Sequence, residues 1–244
     1  LFAPVVAAGD RPMKVFICAD QSNMLGKRSV AARLPKELQT PAENVLAFHR
    51  KNWKPLKPGG AKGKGFGPQV SFAHTMAKAM GEPIGIIKHS KGGTNLAEQW
   101  NPEKDGPLYS QLKKLVAAAR KNRKIEIVGM LWLQGEKDSR DGAMAKAYAD
   151  NLPKLIAAAR KDFDAPKMFF IAGRVNPPKP KYAHVDLVRK AQEECKANGY
   201  AWIDADSASK IGDKVHYDTA GIVELGNRYA EAMLKLMKKG ATSD

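Results

Sequence analysis

The sequence predicts a three-layer α/β domain built on a five-stranded parallel sheet. Two observations carry this expectation. Five short apolar runs rich in β-branched residues alternate with amphipathic stretches of helical period, the pattern of parallel strands joined by crossover helices. Several of these runs also stop abruptly in polar residues and glycines, and ligands of open parallel sheets collect just beyond the carboxyl ends of the strands.

The first strand covers residues 14–19 and runs into Asp20-Gln21-Ser22-Asn23. A helix starts near Asn23, and Gly26 and Pro35 make the next stretch a loop-rich excursion. Residues 45–49 and 53–55 read as a small hairpin. Residues 57–68 are glycine-rich but lack both the spacing of a phosphate-binding loop and a preceding strand, so they read as a surface or active-site loop. A helix over 69–80, stopped by Gly81, leads to a second strand at 83–89. A helix at 107–121 and a third strand at 125–133 come next. The helix after them spans 143–161, with Pro153 at a kink or in the first turn of a separate helix. A strand at 168–173, a helix at 182–198 and a strand at 200–204 lead to a final helix at 219–239, stopped by Gly240. Residues 13–240 read as one domain.

Residues 1–12 read as a signal-peptide remnant or a disordered arm. Val6-Ala7-Ala8 supplies small residues of the kind that precede a cleavage point, so the expected location is secreted or periplasmic. No apolar run approaches the ~20 residues that span a bilayer.

The 244 residues carry 41 Lys+Arg against 25 Asp+Glu, a net charge of +16, which favours polyanionic partners by long-range attraction. The basic residues are spread along the chain, and neither zinc-finger spacing nor an RNA-recognition signature occurs, so no nucleic-acid partner is expected. Cys18 and Cys195 form neither a disulfide framework nor a metal pair; Cys18, inside the first strand, is expected to be a buried free thiol.

The chemistry sits at the strand ends. Strand one ends in Gln21-Ser22-Asn23, strand two in Ser90-Lys91-Gly92-Gly93-Thr94-Asn95, and strand three in Gln134-Gly135-Glu136. Gly212-Asp213-Lys214-Val215-His216 precedes the last helix. Acyl transfer needs a nucleophile, a base, a group that orients the base, and donors for the oxyanion. Ser22 is placed to be the nucleophile, although the same position suits a helix N-cap. Of His49, His74, His89, His184 and His216, only His216 has an acid three residues earlier in a glycine-flanked turn at a strand edge. Asp213 can there hold Nδ1 while Nε2 faces the serine. The Ser22 N–H, an N–H of Gly92 or Gly93 and the Gln134 amide are candidate oxyanion donors. Gln21, Asn95, Glu136 and Arg174 are candidate substrate contacts. There is no G-x-S-x-G elbow.

Taken in order, Gln21-Ser22-Asn23-Met24, Gly92-Gly93-Thr94-Asn95, Trp132-x-Gln134-Gly135-Glu136 and Asp213-x-x-His216 resemble the motif blocks of the SGNH (GDSL-like) hydrolases. Within them the chain is similar to the carbohydrate O-acetylesterases of the sialate-O-acetylesterase-like and acetylxylan-esterase-like groups. The resemblance implies a flavodoxin-like sheet and a serine esterase without metal or cofactor that removes acetyl groups from carbohydrate. It assigns Ser22, His216 and Asp213 their roles by position, and oxyanion donors to Gly92-Gly93 and Gln134. One position departs: the family usually carries glycine before Gln-Ser-Asn-Met, and here it is Asp20. A carboxylate there would stand near the nucleophile, discourage anionic substrates, or raise the pKa of His216. Two other readings stand beside this one: a non-catalytic glycan- or polyanion-binding relative, and an esterase or thioesterase for lipid-like acyl groups.

Overall fold

The computed structural model describes residues 11–41, 44–49, 51–59 and 65–241. The expected N-terminal signal remnant or arm therefore lies, but for its last two residues, outside the described residues.

The sheet has seven strands, not five: β1 (Met13–Asp20), β2 (Val45–His49), β3 (Asn52–Pro55), β4 (Ile84–Ser90), β5 (Ile125–Leu133), β6 (Phe169–Arg174) and β7 (Tyr200–Asp204), in the order β3-β2-β4-β1-β5-β6-β7. The two additional strands are the hairpin. β2 lies parallel to β4 through Val45↔Ile84, Leu46↔Gly85 and Ala47↔Ile86, and β3 turns back antiparallel to close that edge. The sheet is thus mixed and mostly parallel. A hairpin is legible from local sequence; its docking onto β4 depends on distant pairing.

Helices cover both faces. Along β1, Val15, Ile17 and Ala19 point into one core and Phe16 and Cys18 into the other, the period-two alternation of a strand buried on both sides. The first core takes apolar residues from α4 (Pro107–Asn122), α5 (Gly142–Asp162) and α6 (Val185–Glu194). The second takes them from the short α2 (Lys36–Gln39), through Leu38, and from α3 (Gln69–Met80) and α7 (Thr219–Ala241). Cys18 and Cys195 belong to opposite layers and are free; burial pushes the Cys18 thiol up to about 12.

Three helices differ from expectation. α5 runs unbroken through Pro153. The proline removes one donor to the preceding turn, and packing of Tyr148, Leu152, Leu155 and Ile156 holds the helix together. α6 is shorter than predicted, because residues 182–184 form a turn and the helix stops at Glu194. α7 continues through Gly240 to Ala241. Among the described residues no helix is long and apolar enough to cross a membrane.

β1 lies at the centre, with β4 on one side and β5 on the other. From β1 the chain crosses to β2 and β3 at one edge, returns to β4 beside β1, and then crosses β1 to wind outward through β5, β6 and β7. The connections leaving β1 and β5 run in opposite directions, so the topological switch point lies at the carboxyl ends of these two strands, where α/β folds open their ligand crevice.

Candidate active site

α1 (Ser22–Leu25) is a single turn that leaves β1 and ends at Gly26, whose φ of 81° lies in the left-handed region. A Cβ on Gly26 would meet the Phe66 carbonyl oxygen at 1.8 Å. Only glycine therefore lets the 65–67 segment pack behind the turn. Ser29 completes the clamp, its hydroxyl accepting from the Phe66 N–H at 2.8 Å. The described end of the glycine-rich loop thus supports the serine turn from behind; residues 60–64 lie outside the described residues.

Ser22 is 8% exposed. Its Oγ lies 3.0 Å from His216 Nε2, and His216 Nδ1 lies 2.7 Å from Asp213 Oδ2. The other oxygen of Asp213 accepts the backbone N–H groups of Val215 and His216, each at 2.9 Å. Desolvation works against the Asp213 charge, but these N–H groups and the ring outweigh it and hold the carboxyl below its ordinary range. The arrangement is an ionised carboxylate fixing an imidazole whose free nitrogen meets a serine hydroxyl. Chemically it can deprotonate that hydroxyl and return the proton to a leaving group.

Gly92 lies against the serine: a Cβ built on it would stand 3.5 Å from Ser22 Cβ. The backbone N–H groups of Ser22, Gly92 and Gly93 have no acceptor within the protein among the described residues. They are free to serve an incoming oxygen.

Five predicted contacts are engaged elsewhere. The Gln134 amide nitrogen donates to the Thr94 carbonyl at 3.0 Å and to Asp138 Oδ2 at 2.6 Å, so it has no N–H left for an oxyanion. The Gln134 backbone carbonyl is itself held by the Tyr148 hydroxyl and the Gln192 amide. Asn95 folds back to accept the Glu98 and Gln99 N–H groups, a local turn cap. Arg174 is neutralised by Glu193, Asp204 and Asp206 and lies over the Trp202 ring, and so holds the β6–β7 ends together. Gln21 and Glu136 are buried and bonded to each other. Their side chains have little surface to offer a substrate.

Sequence reasoning missed Asn23 and Asp138. Asn23 Nδ2 donates to Glu136 Oε1 at 2.9 Å and to the Val215 carbonyl at 3.2 Å, while Asn23 Oδ1 accepts the Tyr217 N–H at 3.3 Å. Asp138, wholly buried, accepts the N–H groups of Leu96 and Ala97 and so anchors the loop after β4. Its place four residues after Gln134 in a polar strand end was the available signal. Burial raises Asp138 to about 6 and Glu136 to about 7, against the pull of their hydrogen bonds.

Asp20 stays within the sheet, opposite Ser90 and Leu133, and its φ of 159° is extended backbone that needs no glycine. The side chain is fully buried. The Gln21 and Met24 N–H groups approach it without well-directed hydrogen bonds. Burial first, then the neighbouring Glu136, push its carboxyl well above the ordinary range. Burial thus favours the protonated form of Asp20 beneath the serine turn, and its carboxyl has no surface facing substrate. Between the ordinary Asp range and this raised value the folded state holds a proton that the unfolded chain has released. Stability then falls as pH rises through that window. Asp20→Asn lacks this term. Its stability relative to the wild type is expected to improve with rising pH, by at most about 1.4 kcal/mol per unit. Urea unfolding at pH 5 and pH 8 checks this; equal differences at both would refute it.

Among the described residues, no group of three or more His, Cys, Asp or Glu side chains is disposed to hold a metal ion. Known proteins share both the sequence and the fold. The chain is 29% identical over 252 residues to a protein of Arabidopsis thaliana named "Probable carbohydrate esterase", covering 95% of this chain and 94% of the relative. The solved Arabidopsis structure superposes with a TM-score of 0.81 at 26% identity, over 92% of this chain and 99% of that one. The fold of NanS superposes at 0.74 with 14% identity, over 93% and 98% of the two chains. That of XAC1771, a carbohydrate acetylesterase from Xanthomonas citri, does so at 0.68 with 18% identity, over 89% of this chain and 55% of that one. The family model described as "carbohydrate esterase, sialic acid-specific acetylesterase" matches residues 12–235. The chain belongs to this carbohydrate esterase family and is a carboxylic ester hydrolase.

Proposed function

We propose that this esterase removes O-acetyl groups from carbohydrate through an acetyl-enzyme on Ser22. The observation that carries the reading is the unbroken chain from Ser22 Oγ to His216 Nε2 at 3.0 Å and from His216 Nδ1 to Asp213 at 2.7 Å. In this reading Ser22 Oγ attacks the acetyl carbonyl as its proton passes to Nε2. The tetrahedral oxyanion takes hydrogen bonds from the Ser22 N–H and an N–H of Gly92 or Gly93, each aligned donor being worth about 3–4 kcal/mol in the transition state. Collapse breaks the ester bond, and His216 returns the proton to the departing sugar oxygen. Water, deprotonated by His216, then attacks the acetyl-serine and releases acetate, regenerating Ser22. Asp213 stays ionised throughout and keeps the ring oriented.

The net charge of +16 favours an acidic or sulfated polysaccharide by long-range attraction, and Asp20, fully buried, presents no carboxylate at the surface to oppose one. An acetate-release screen over acetylated xylan, pectin, sialic acid and sulfated algal glycans tests activity and substrate class together. Release from at least one is expected, with acidic glycans favoured at low salt. Release from none, or faster cleavage of medium-chain than of acetyl esters, would overturn the reading.

A further inference from the structure

We propose that Glu136 and Asn23 form a tie that sets the separation of Ser22 and His216, which makes Glu136 a positioning residue and not a sugar contact. The inference rests on reading Ser22 as nucleophile and His216 as base. Its geometry is a double bracket. The residues on either side of Ser22, Gln21 and Asn23, both donate side-chain amide hydrogens to the Glu136 carboxylate, one to each oxygen. The residues on either side of His216, Val215 and Tyr217, are both held by the Asn23 amide, the first through its carbonyl at 3.2 Å and the second through its N–H at 3.3 Å. Glu136 thus fixes the nucleophile turn to the end of β5, and Asn23 joins that turn to the base turn.

The residue types suit the task. A carboxylate offers acceptors on both oxygens and can take both amides at once; a carboxamide offers one acceptor and would confront the second amide with a donor. The Asn23 amide uses both its donor and its acceptor face, so no smaller polar side chain replaces it. Gln21 is 2% exposed and Glu136 5%. In so buried a site, a mispaired amide costs more than at the surface. Because Gln21, Asn23, Val215 and Tyr217 each adjoin a reacting residue, strain at the tie moves Ser22 against His216. Misplacement of reacting groups by ~1 Å costs about 100-fold in rate.

The test compares Glu136→Gln with the wild type in three measurements: kcat/KM for 4-nitrophenyl acetate, kcat/KM for an acetylated sugar, and the rate of Ser22 inactivation by diisopropyl fluorophosphate. A positioning role predicts that all three fall by the same factor, about 10–100-fold, while circular dichroism remains native. A loss confined to the sugar ester would make Glu136 a substrate contact and overturn the proposal, as would an unchanged inactivation rate. Gln21→Ala deletes a single arm and carries the same test if Glu136→Gln does not fold. A wild type that releases no acetate and resists the organophosphate would instead overturn the nucleophile reading. A labelled wild type with an equally labelled Glu136→Gln would overturn only the tie.

Discussion

Replacing Ser22 with alanine is expected to lower acetate release by about 10⁴–10⁶-fold while the fold survives. The hydroxyl is the only group on the turn that meets His216, and water cannot take its place as a covalent acceptor. Alanine keeps the helical conformation of α1, and the backbone bonds that close the turn, from Gly26 and Lys27 to the Ser22 carbonyl at 3.1 Å each, involve no side chain. Thermal unfolding should therefore stay close to that of the wild type. Residual hydrolysis is expected from the oxyanion donors alone. Activity within tenfold of the wild type would show that Ser22 is no nucleophile.

Asp213→Asn is expected to be the second largest loss, about 10³–10⁴-fold in kcat, again without loss of fold. The asparagine Oδ1 can still accept the Val215 and His216 N–H groups, so the turn keeps its shape. The change falls on the other atom. An amide NH₂ at the position 2.7 Å from Nδ1 makes that nitrogen an acceptor and moves the ring proton to Nε2. There it can no longer receive a proton from Ser22. Asp213 is therefore read as fixing a tautomer, and the loss should show in the rate of Ser22 labelling as well as in turnover. A variant that labels at the wild-type rate would sink that role.

The parts of the structure legible in the sequence are those fixed by local pattern. β1, β4, β5, β6 and β7 are apolar runs of strand length, and α3, α4 and α7 are amphipathic with recognisable starts. The seven-strand count was not legible, because three register pairs between β2 and β4 join segments far apart in the chain. Pro153 misled for a related reason: one lost backbone bond is outweighed by a buried helix face that only the folded sheet supplies. In the site, Ser22, Asp213 and His216 could be read because each sits beside a strand end or helix start, and the structure brings them together. The partners of Gln134, Asn95 and Arg174 could not be read. A polar side chain at a strand end suits ligand binding and loop anchoring equally well, and only distance separates the two.

The hairpin also governs how the molecule meets copies of itself. An open sheet ends in unpaired N–H and C=O groups that invite a strand from another chain. Here the β2 side of the sheet ends in β3, only four residues long, with Lys54 and Pro55 exposed along it. Lys54 adds charge and desolvation cost to any strand arriving there, and Pro55 has no N–H to give it. A segment that carries none of the proposed chemistry thus protects that edge of the sheet against intermolecular strand pairing.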